Sequence, residues 1–516
     1  MNPSNPPRTF LWAAWLALGL VCAPAVAQVA DAEQPRPVAS AWRLTDETYE
    51  LPGGERMGMA GATWMFDVDQ RWSLGVGSYG AVRGERGGFI TLGVAGEARQ
   101  PLTDDWTLRG GLFVGAGGGR GGYTLAGGGL MLRADVGVAY DLGDWGRLGA
   151  GVSHVNFPSG VIRSTQPYLL FEHRFHSLLG TGWARPTGAA PSSRSVPDRP
   201  QEFSVMVRRY DIDDAAVQDD GVTPQHPSMQ LVGFEWLSYI DPYWYLRLGA
   251  EGAGGGRSDG YMQILAGGGY RLPLGDRTGL KMSLALGAAG GGGVDTGGGV
   301  LVETGVALQH AVTRGLSVEV GLSDVRAPGH SFRAQALSLK LTHPFGVPLL
   351  AGASSLGVGA LGGFDPEHLR VRLAHQTYFE AAPNWRNRFQ DTPVSNLGVQ
   401  LDYFLTPDWF LSGQGLAAYE GKAGAYMVGL IGLGGRWSLA ERWYAEAEAL
   451  AGAAGGGGLQ VGGGAVAQLN GSVGYRFTRD LAVQATMGHL AAPRGDLRAH
   501  VAGLSLAWQF TGWSSR

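Results

Sequence analysis

The stretch Met131-Leu-Arg-Ala-Asp-Val-Gly-Val-Ala-Tyr-Asp-Leu142 sorts its side chains by parity. Successive residues of a β-strand point to opposite faces. Leu132, Ala134, Val136, Val138, Tyr140 and Leu142 therefore share one face, and Arg133, Asp135, Gly137, Ala139 and Asp141 share the other. The same division recurs further along, where Trp244, Leu246, Leu248 and Ala250 oppose Tyr245, Arg247, Gly249 and Glu251. Near the end, Leu504, Leu506, Trp508 and Phe510 oppose Ser505, Ala507 and Gln509. An aqueous sandwich alternates too, with its apolar face inward. Here the polar face is poor in Lys and rich in Gly, Ala and Ser, and only 16% of the chain is charged, less than a solvated face carries. The pattern is that of strands with one face in lipid and the other in a polar interior.

Outward from this strand the first unit divides into eight segments, about 41–50, 57–67, 71–80, 88–99, 105–115, 129–142, 146–157 and 164–175. Tight polar turns at 67–71, 100–105 and 143–146 alternate with longer loops, the asymmetry of barrels with short periplasmic turns and long outer loops. Trp72, Trp244 and Trp409, with Trp106 and Trp443, begin strands beside the short turns, where an interfacial aromatic girdle belongs.

The unit occurs three times. A glycine cassette, GAGGGRGGYTLAGGG in its first copy, ends at Gly129, Gly299 and Gly464, at spacings of 170 and 165 residues. Phe89, Tyr261 and Tyr426 keep step with it, as do Pro158, Pro328 and Pro493, each followed five residues on by Arg163, Arg333 or Arg498. Each unit closes on an alternating strand ending in Phe175, Phe345 or Phe510. Self-similarity at this period makes the unit the thing to be folded.

Residues 1–27 read as a cleavable secretory signal, with Arg8, an apolar core from Leu11 to Cys22 and Ala25-Val26-Ala27. Cys22 is the only cysteine, so the exported chain would hold no disulfide and no thiolate metal site. The remainder divides into barrel repeats at 28–175, 202–345 and 368–510, linkers at 176–201 and 346–367, and a tail at 511–516. No apolar run of 18 residues follows the signal. With helices excluded, only closed barrels satisfy the backbone in lipid. A net charge of −4 gives no basic field for nucleic acid.

On these residues the chain resembles bacterial outer-membrane β-barrel proteins. Its last strand, Gly503-Leu-Ser-Leu-Ala-Trp-Gln-Phe510, is similar to the C-terminal assembly signal of that class, with six further residues after Phe510 as a departure. The resemblance implies an outer-membrane location in a Gram-negative envelope, lipid and lipopolysaccharide as neighbours, and handling by the barrel assembly machinery. It implies no cofactor and no particular activity. A periplasmic or envelope protein partner stays open.

Three units of eight strands could close as three tandem barrels or as one of about 24 strands. The long linkers, 176–201 bearing four prolines and 346–367 rich in Gly, Ala and Leu, favour three, because neighbouring strands of one barrel need only a short turn. An eight-stranded barrel is filled by side chains. Inward Gly149, Gly151, Gly249 and Gly471 would leave room for inward Arg, Tyr and Glu, and Arg133 with Asp135 and Arg247 with Glu251 would pair across the lumen.

The cassettes could cradle an anion on successive N–H groups, but a phosphate loop needs Lys-Ser/Thr and a helix, and strand follows here. Close chain packing or flexibility are the other accounts. His154, Asp324 and His489 precede the repeated prolines, Ser153 beside His154 and Ser323 beside Asp324, but Gly488 stands in the third copy and no third catalytic group keeps a spacing. Arg163, Arg333 and Arg498 suit lipopolysaccharide phosphates at the outer rim. Asp211, Asp213 and Asp214, with Asp219 and Asp220, offer oxygen ligands for calcium without a known loop spacing. The expectation is a non-enzymatic structural, surface-binding or envelope-associated barrel protein. The alternatives are a wide conduit for a polymer or partner, and an outer-leaflet lipid hydrolase.

Overall fold

A computed structural model describes residues 36–181, 196–350, 361 and 363–515. The expected signal at 1–27 and parts of both linkers lie outside these residues.

The architecture is all-β, and the described residues form 24 antiparallel strands. The first unit comprises β1 (Arg36–Glu50), β2 (Arg56–Asp67), β3 (Trp72–Arg83), β4 (Ile90–Pro101), β5 (Trp106–Gly118), β6 (Leu130–Asp141), β7 (Arg147–Asn156) and β8 (Arg163–Thr181). The second comprises β9 (Asp198–Ile212), β10 (Ser228–Tyr239), β11 (Trp244–Gly255), β12 (Met262–Pro273), β13 (Thr278–Gly290), β14 (Val300–Thr313), β15 (Leu316–Arg326) and β16 (Arg333–Pro348). The third comprises β17 (Asp365–Glu380), β18 (Val394–Phe404), β19 (Trp409–Glu420), β20 (Met427–Ser438), β21 (Trp443–Gly455), β22 (Ala465–Arg476), β23 (Leu481–Ala491) and β24 (Arg498–Ser514).

Each set of eight returns to its own first strand. β9 to β16 form a closed barrel. β1 pairs with β8 from Arg36 opposite Leu179 to Glu47 opposite Tyr168. β24 pairs with both β17 and β23. Among the described residues β8 and β24 pair at Gly180–Thr511 and Thr181–Phe510, with Leu178 and Trp513 in one buried cluster beside them.

The turns are made by side chains of the expected kind. The Asp69 carboxylate accepts the N–H groups of Arg71 and Trp72 at 2.7 and 2.8 Å, and Asp241 does the same for Tyr243 and Trp244 at 2.8 and 2.7 Å. These bonds start β3 and β11 with Trp72 and Trp244 on the surface. With Trp409, all three tryptophans are exposed. The first and last strands of each unit run further than the alternation suggested. β1 begins at Arg36 rather than about 41. β8 continues to Thr181, β9 begins at Asp198, β16 continues to Pro348 and β17 begins at Asp365, all four in segments read as linker.

Polarity is inverted relative to a water-soluble barrel. Leu132, Val136 and Tyr140 are exposed while Arg133 is buried, and Leu246 is exposed while Arg247 and Glu251 are buried. Gly149, Gly151 and Gly249 face inward. Gly471 does not: Asn470 and Ser472 take the inward places beside it. Aromatic rings lie flat over other inward glycines, and a Cβ at Gly269, Gly434 or Gly474 would strike the ring of Tyr245, Phe410 or Tyr444 on the adjoining strand.

Candidate functional site: the barrel lumens, their outer lids and the rim

The inward faces converge on charge networks. In the first barrel Glu97 lies 2.9 Å from Arg43 and also binds Arg109, and Arg43 reaches Glu172 at 2.8 Å. Glu47 accepts from Arg133 and Tyr49 at 2.9 Å each and from Ser153 at 2.5 Å. In the third, Arg370 joins Asp402 to Glu446 at 2.6 and 2.7 Å, Arg436 meets Glu446 at 2.8 Å, and Arg372 meets Asp402 at 2.7 Å.

The second lumen is a continuous ladder of alternating sign. Lys281 bridges Glu202 and Glu319 at 2.6 and 2.8 Å, and Lys340 bridges Glu319 and Glu235 at 2.8 and 2.5 Å. Arg247 bridges Glu235 and Glu303 at 2.9 and 3.1 Å, and Arg208 bridges Glu303 and Glu251 at 2.7 and 3.1 Å. Arg133 pairs with Asp135 as the sequence suggested. Arg247 does not pair with Glu251, because residues four apart on one strand are separated by roughly 13 Å at 3.3 Å per residue. Partners on neighbouring strands are nearer. Alternating charges satisfy one another where an unpaired ion would be costly.

Little space remains. A cavity lined by Arg208, Glu235, Lys281, Glu303 and Lys340 in the second lumen has a volume of about 20 Å³, and one beside Arg372 and Glu448 in the third has about 10 Å³. Each is on the scale of a single water.

The outer loops fold inward as apolar lids. The first barrel is covered by Phe89, Leu125, Phe157 and Ile162, with Phe89 and Phe157 edge to face at 5.7 Å. The second is covered by Tyr261, Val294 and Phe332, and the third by Tyr378, Trp385, Tyr426, Leu459 and Leu497. Phe89, Tyr261 and Tyr426, visible in the sequence only as landmarks, are thus equivalent lid residues. The excursion 379–395 is held by Arg386, which donates to the carbonyls of Thr392 and Gly421 at 2.7 and 2.9 Å. Burial pushes its pKa down to about 10. The 211–228 excursion lies on its own cassette through the Asp219 N–H to the Gly293 carbonyl at 2.9 Å.

The rim residues separate. Arg163 and Arg333 open β8 and β16 and are exposed. Arg498 bends into its own loop, donating to the carbonyl of Gly495 at 3.1 Å. Pro158, Pro328 and Pro493 cap exposed turns. Ser153 faces the lumen and His154 the outside, where its Nδ1 lies 2.8 Å from the Thr165 hydroxyl, so the two form no nucleophile–base pair. Asp324 is engaged by Arg326 and by Gln335 at 2.9 Å, and His489 packs on His500 at 5.5 Å. Calcium has no assembled site in the acidic loop. Asp211 pairs with Arg209 at 2.9 Å, Asp213 accepts the Ala215 N–H at 2.9 Å, and Asp219 meets Arg120 at 3.5 Å. Among the described residues no group of three metal-ligating side chains comes together. The aspartates serve turns and ion pairs instead; Asp220, bonded by the Thr223 hydroxyl and the Val222 and Thr223 N–H groups, is held below the usual carboxylate range.

Closed antiparallel barrels with apolar outer walls, charged interiors and tryptophans at the strand starts define an outer-membrane β-barrel protein, located in the outer membrane of a Gram-negative bacterium. No protein-family model matches the chain, and no curated protein matches it. Solved structures that it resembles include the siderophore receptor PirA of Pseudomonas aeruginosa, at 10% identity over 93% of this chain and 81% of that one with a TM-score of 0.26. Others are a mutant ferric enterobactin receptor of the same organism in complex with enterobactin, at 9%, 93%, 82% and 0.27, and its OpdQ, at 10%, 93%, 98% and 0.19. At such scores the likeness carries nothing about activity. The class rests on the inverted polarity of the barrels themselves.

Proposed function

We propose that the protein is a non-conducting, non-enzymatic structural and surface-binding component of the outer membrane, built as three separate filled barrels. The observation that carries this reading is the ladder from Glu202 to Glu251, which occupies the second lumen with side chains that form ion pairs with one another. An ion crossing there would have to displace several buried pairs, each costly to break. The lids add an apolar barrier above. Refolded protein in a planar bilayer is expected to give no steady conductance while showing the heat-modifiable gel mobility of a folded barrel. Large, steady steps from folded protein would overturn the reading in favour of a conduit.

Surface binding falls to Arg163 and Arg333, whose guanidinium groups are exposed at the outer ends of β8 and β16 and suit the phosphates of lipopolysaccharide. Arg498, tied to its loop, is left out. Arg163→Ala with Arg333→Ala is expected to lower the amount of lipopolysaccharide retained through detergent exchange; unchanged retention would remove this role.

A further inference from the structure

The three glycine cassettes have one geometry. Gly129, Gly299 and Gly464 all hold φ at 102°. Each lies against a carbonyl oxygen of a different barrel from its own, Gly129 on Ala418, Gly299 on Ala81 and Gly464 on Ala253. Ala81, Ala253 and Ala418 are equivalent, each near the outer end of the third strand of its unit. Backbone hydrogen bonds cross the same joints, from Gly87 N–H to the Gly297 carbonyl at 2.7 Å and from Gly424 N–H to the Gly127 carbonyl at 3.0 Å.

The joints run in one direction. The second cassette sits on the first barrel, the first on the third, and the third on the second. Strand contacts agree, since β13 touches β3, β5 touches β19 and β21 touches β11. Such head-to-tail contacts either close into a ring or propagate without end, and three of them close here. At the inner ends the same sense recurs, Gly346 exchanging two hydrogen bonds with Ser515 at 2.9 and 3.0 Å, and Thr511 pairing with Gly180. Immediately below the cassettes the touching residues are small, whereas further down the first joint Trp236 of the second barrel packs on Trp42 and Trp64 of the first at 6.1 and 6.3 Å. A Cβ on Gly80 would lie 2.8 Å from that of Ala288, and one on Gly252 would lie 3.2 Å from that of Ala453. The corresponding pair in the third joint is Ala417 and Ala116, both fully buried. In lipid, where apolar surface alone gives no drive to associate, small residues let backbones approach and pack.

We propose that each cassette is a docking element whose partner is the third-strand end of another copy of the same eight-strand unit, and that one chain is therefore a complete pseudo-trimer with no cassette free to engage a second chain. The proposal rests on the three-barrel reading. The joint between the third and first barrels is the decisive one, because no linker ties those two units.

Cys22 is the only cysteine, so a Cys22→Ser background makes the test direct. Gly80→Cys with Ala288→Cys, and Ala116→Cys with Ala417→Cys, are introduced as separate pairs into the full-length protein. Val136→Cys with Leu246→Cys, on lipid-facing walls of different barrels, serves as control. Both seam pairs are expected to form reducible disulfides within one chain, at monomer mass by native mass spectrometry, and the control pair to form none. Seam pairs that stay reduced in protein with folded, heat-modifiable mobility overturn the docking. Disulfides that join two chains overturn the closed ring. Steady conductance would instead defeat the filled-barrel reading, whichever disulfides form.

Discussion

Gly129 holds a left-handed φ of 102° with the carbonyl oxygen of Ala418 where its Cβ would be. Two penalties therefore meet at one residue. A left-handed backbone costs an ordinary residue roughly 1–2 kcal/mol, and the overlap adds to it. Gly129→Val is expected to lower stability by at least about 1–2 kcal/mol, read from the urea midpoint of the heat-modifiable gel shift. Gly471→Val, facing open space on the lipid side, should stay within about 0.5 kcal/mol. Equal effects would mean that the seam contributes nothing.

Among the described residues Lys281 is the one cation that bridges Glu202 and Glu319, at 2.6 and 2.8 Å, and Glu319 also reaches Lys340. Lys281→Met would leave Glu202 buried without its ion pair. Breaking a buried pair in this way costs about 3–5 kcal/mol, and the urea midpoint should fall accordingly. Adding Glu202→Gln should recover part of the loss. No recovery in the double variant would show that lumenal packing, not charge, is what the substitution disturbs.

Val136 is exposed at the middle of β6. If that wall faces hydrocarbon, Val136→Arg should cost about 2–4 kcal/mol in phospholipid vesicles. On a water-exposed wall the same change would fall within about 0.5 kcal/mol. The denaturant midpoint in vesicles distinguishes the two, and the small value would defeat the membrane assignment.

Asp295 ties the second cassette to the loop after Pro328. Burial opposes its charge, but the N–H and hydroxyl of Ser331, at 3.1 and 2.9 Å, and His330, at 3.2 Å, outweigh it and hold the carboxyl below its ordinary 3.8. A depressed folded pKa gives stability that is complete above the unfolded value and is lost as pH falls through the folded one. A spin label at Pro328→Cys should therefore stay immobile above about pH 4 and gain mobility below it. Asp295→Asn should remove most of that transition; a transition of the same size in the variant would place its origin elsewhere.

Parity along Met131 to Leu142, and its repetition, was enough to give strands, their lipid-facing sides and eight strands per unit, because the two faces of a barrel strand meet different solvents. Trp72, Trp244 and Trp409 marked the strand starts for the same local reason. Arg133 with Asp135 was legible because residues two apart share a face within reach. Arg247 with Glu235 and Glu303 was not, since strand register and the inward crowding of the lumen decide which acid lies nearest. The aspartates at 211, 213 and 214 looked like ligands in one dimension; in three, Asp211 went to Arg209 and Asp213 to the Ala215 N–H.

The sequence by itself determined that a glycine cassette recurs three times and that Gly129, Gly299 and Gly464 anchor it. Only the tertiary structure decided what the glycines are for. Their partners, the carbonyls of Ala418, Ala81 and Ala253, lie in other repeats, and a backbone-to-backbone contact between glycine and alanine leaves no complementary side chains in the sequence to announce it.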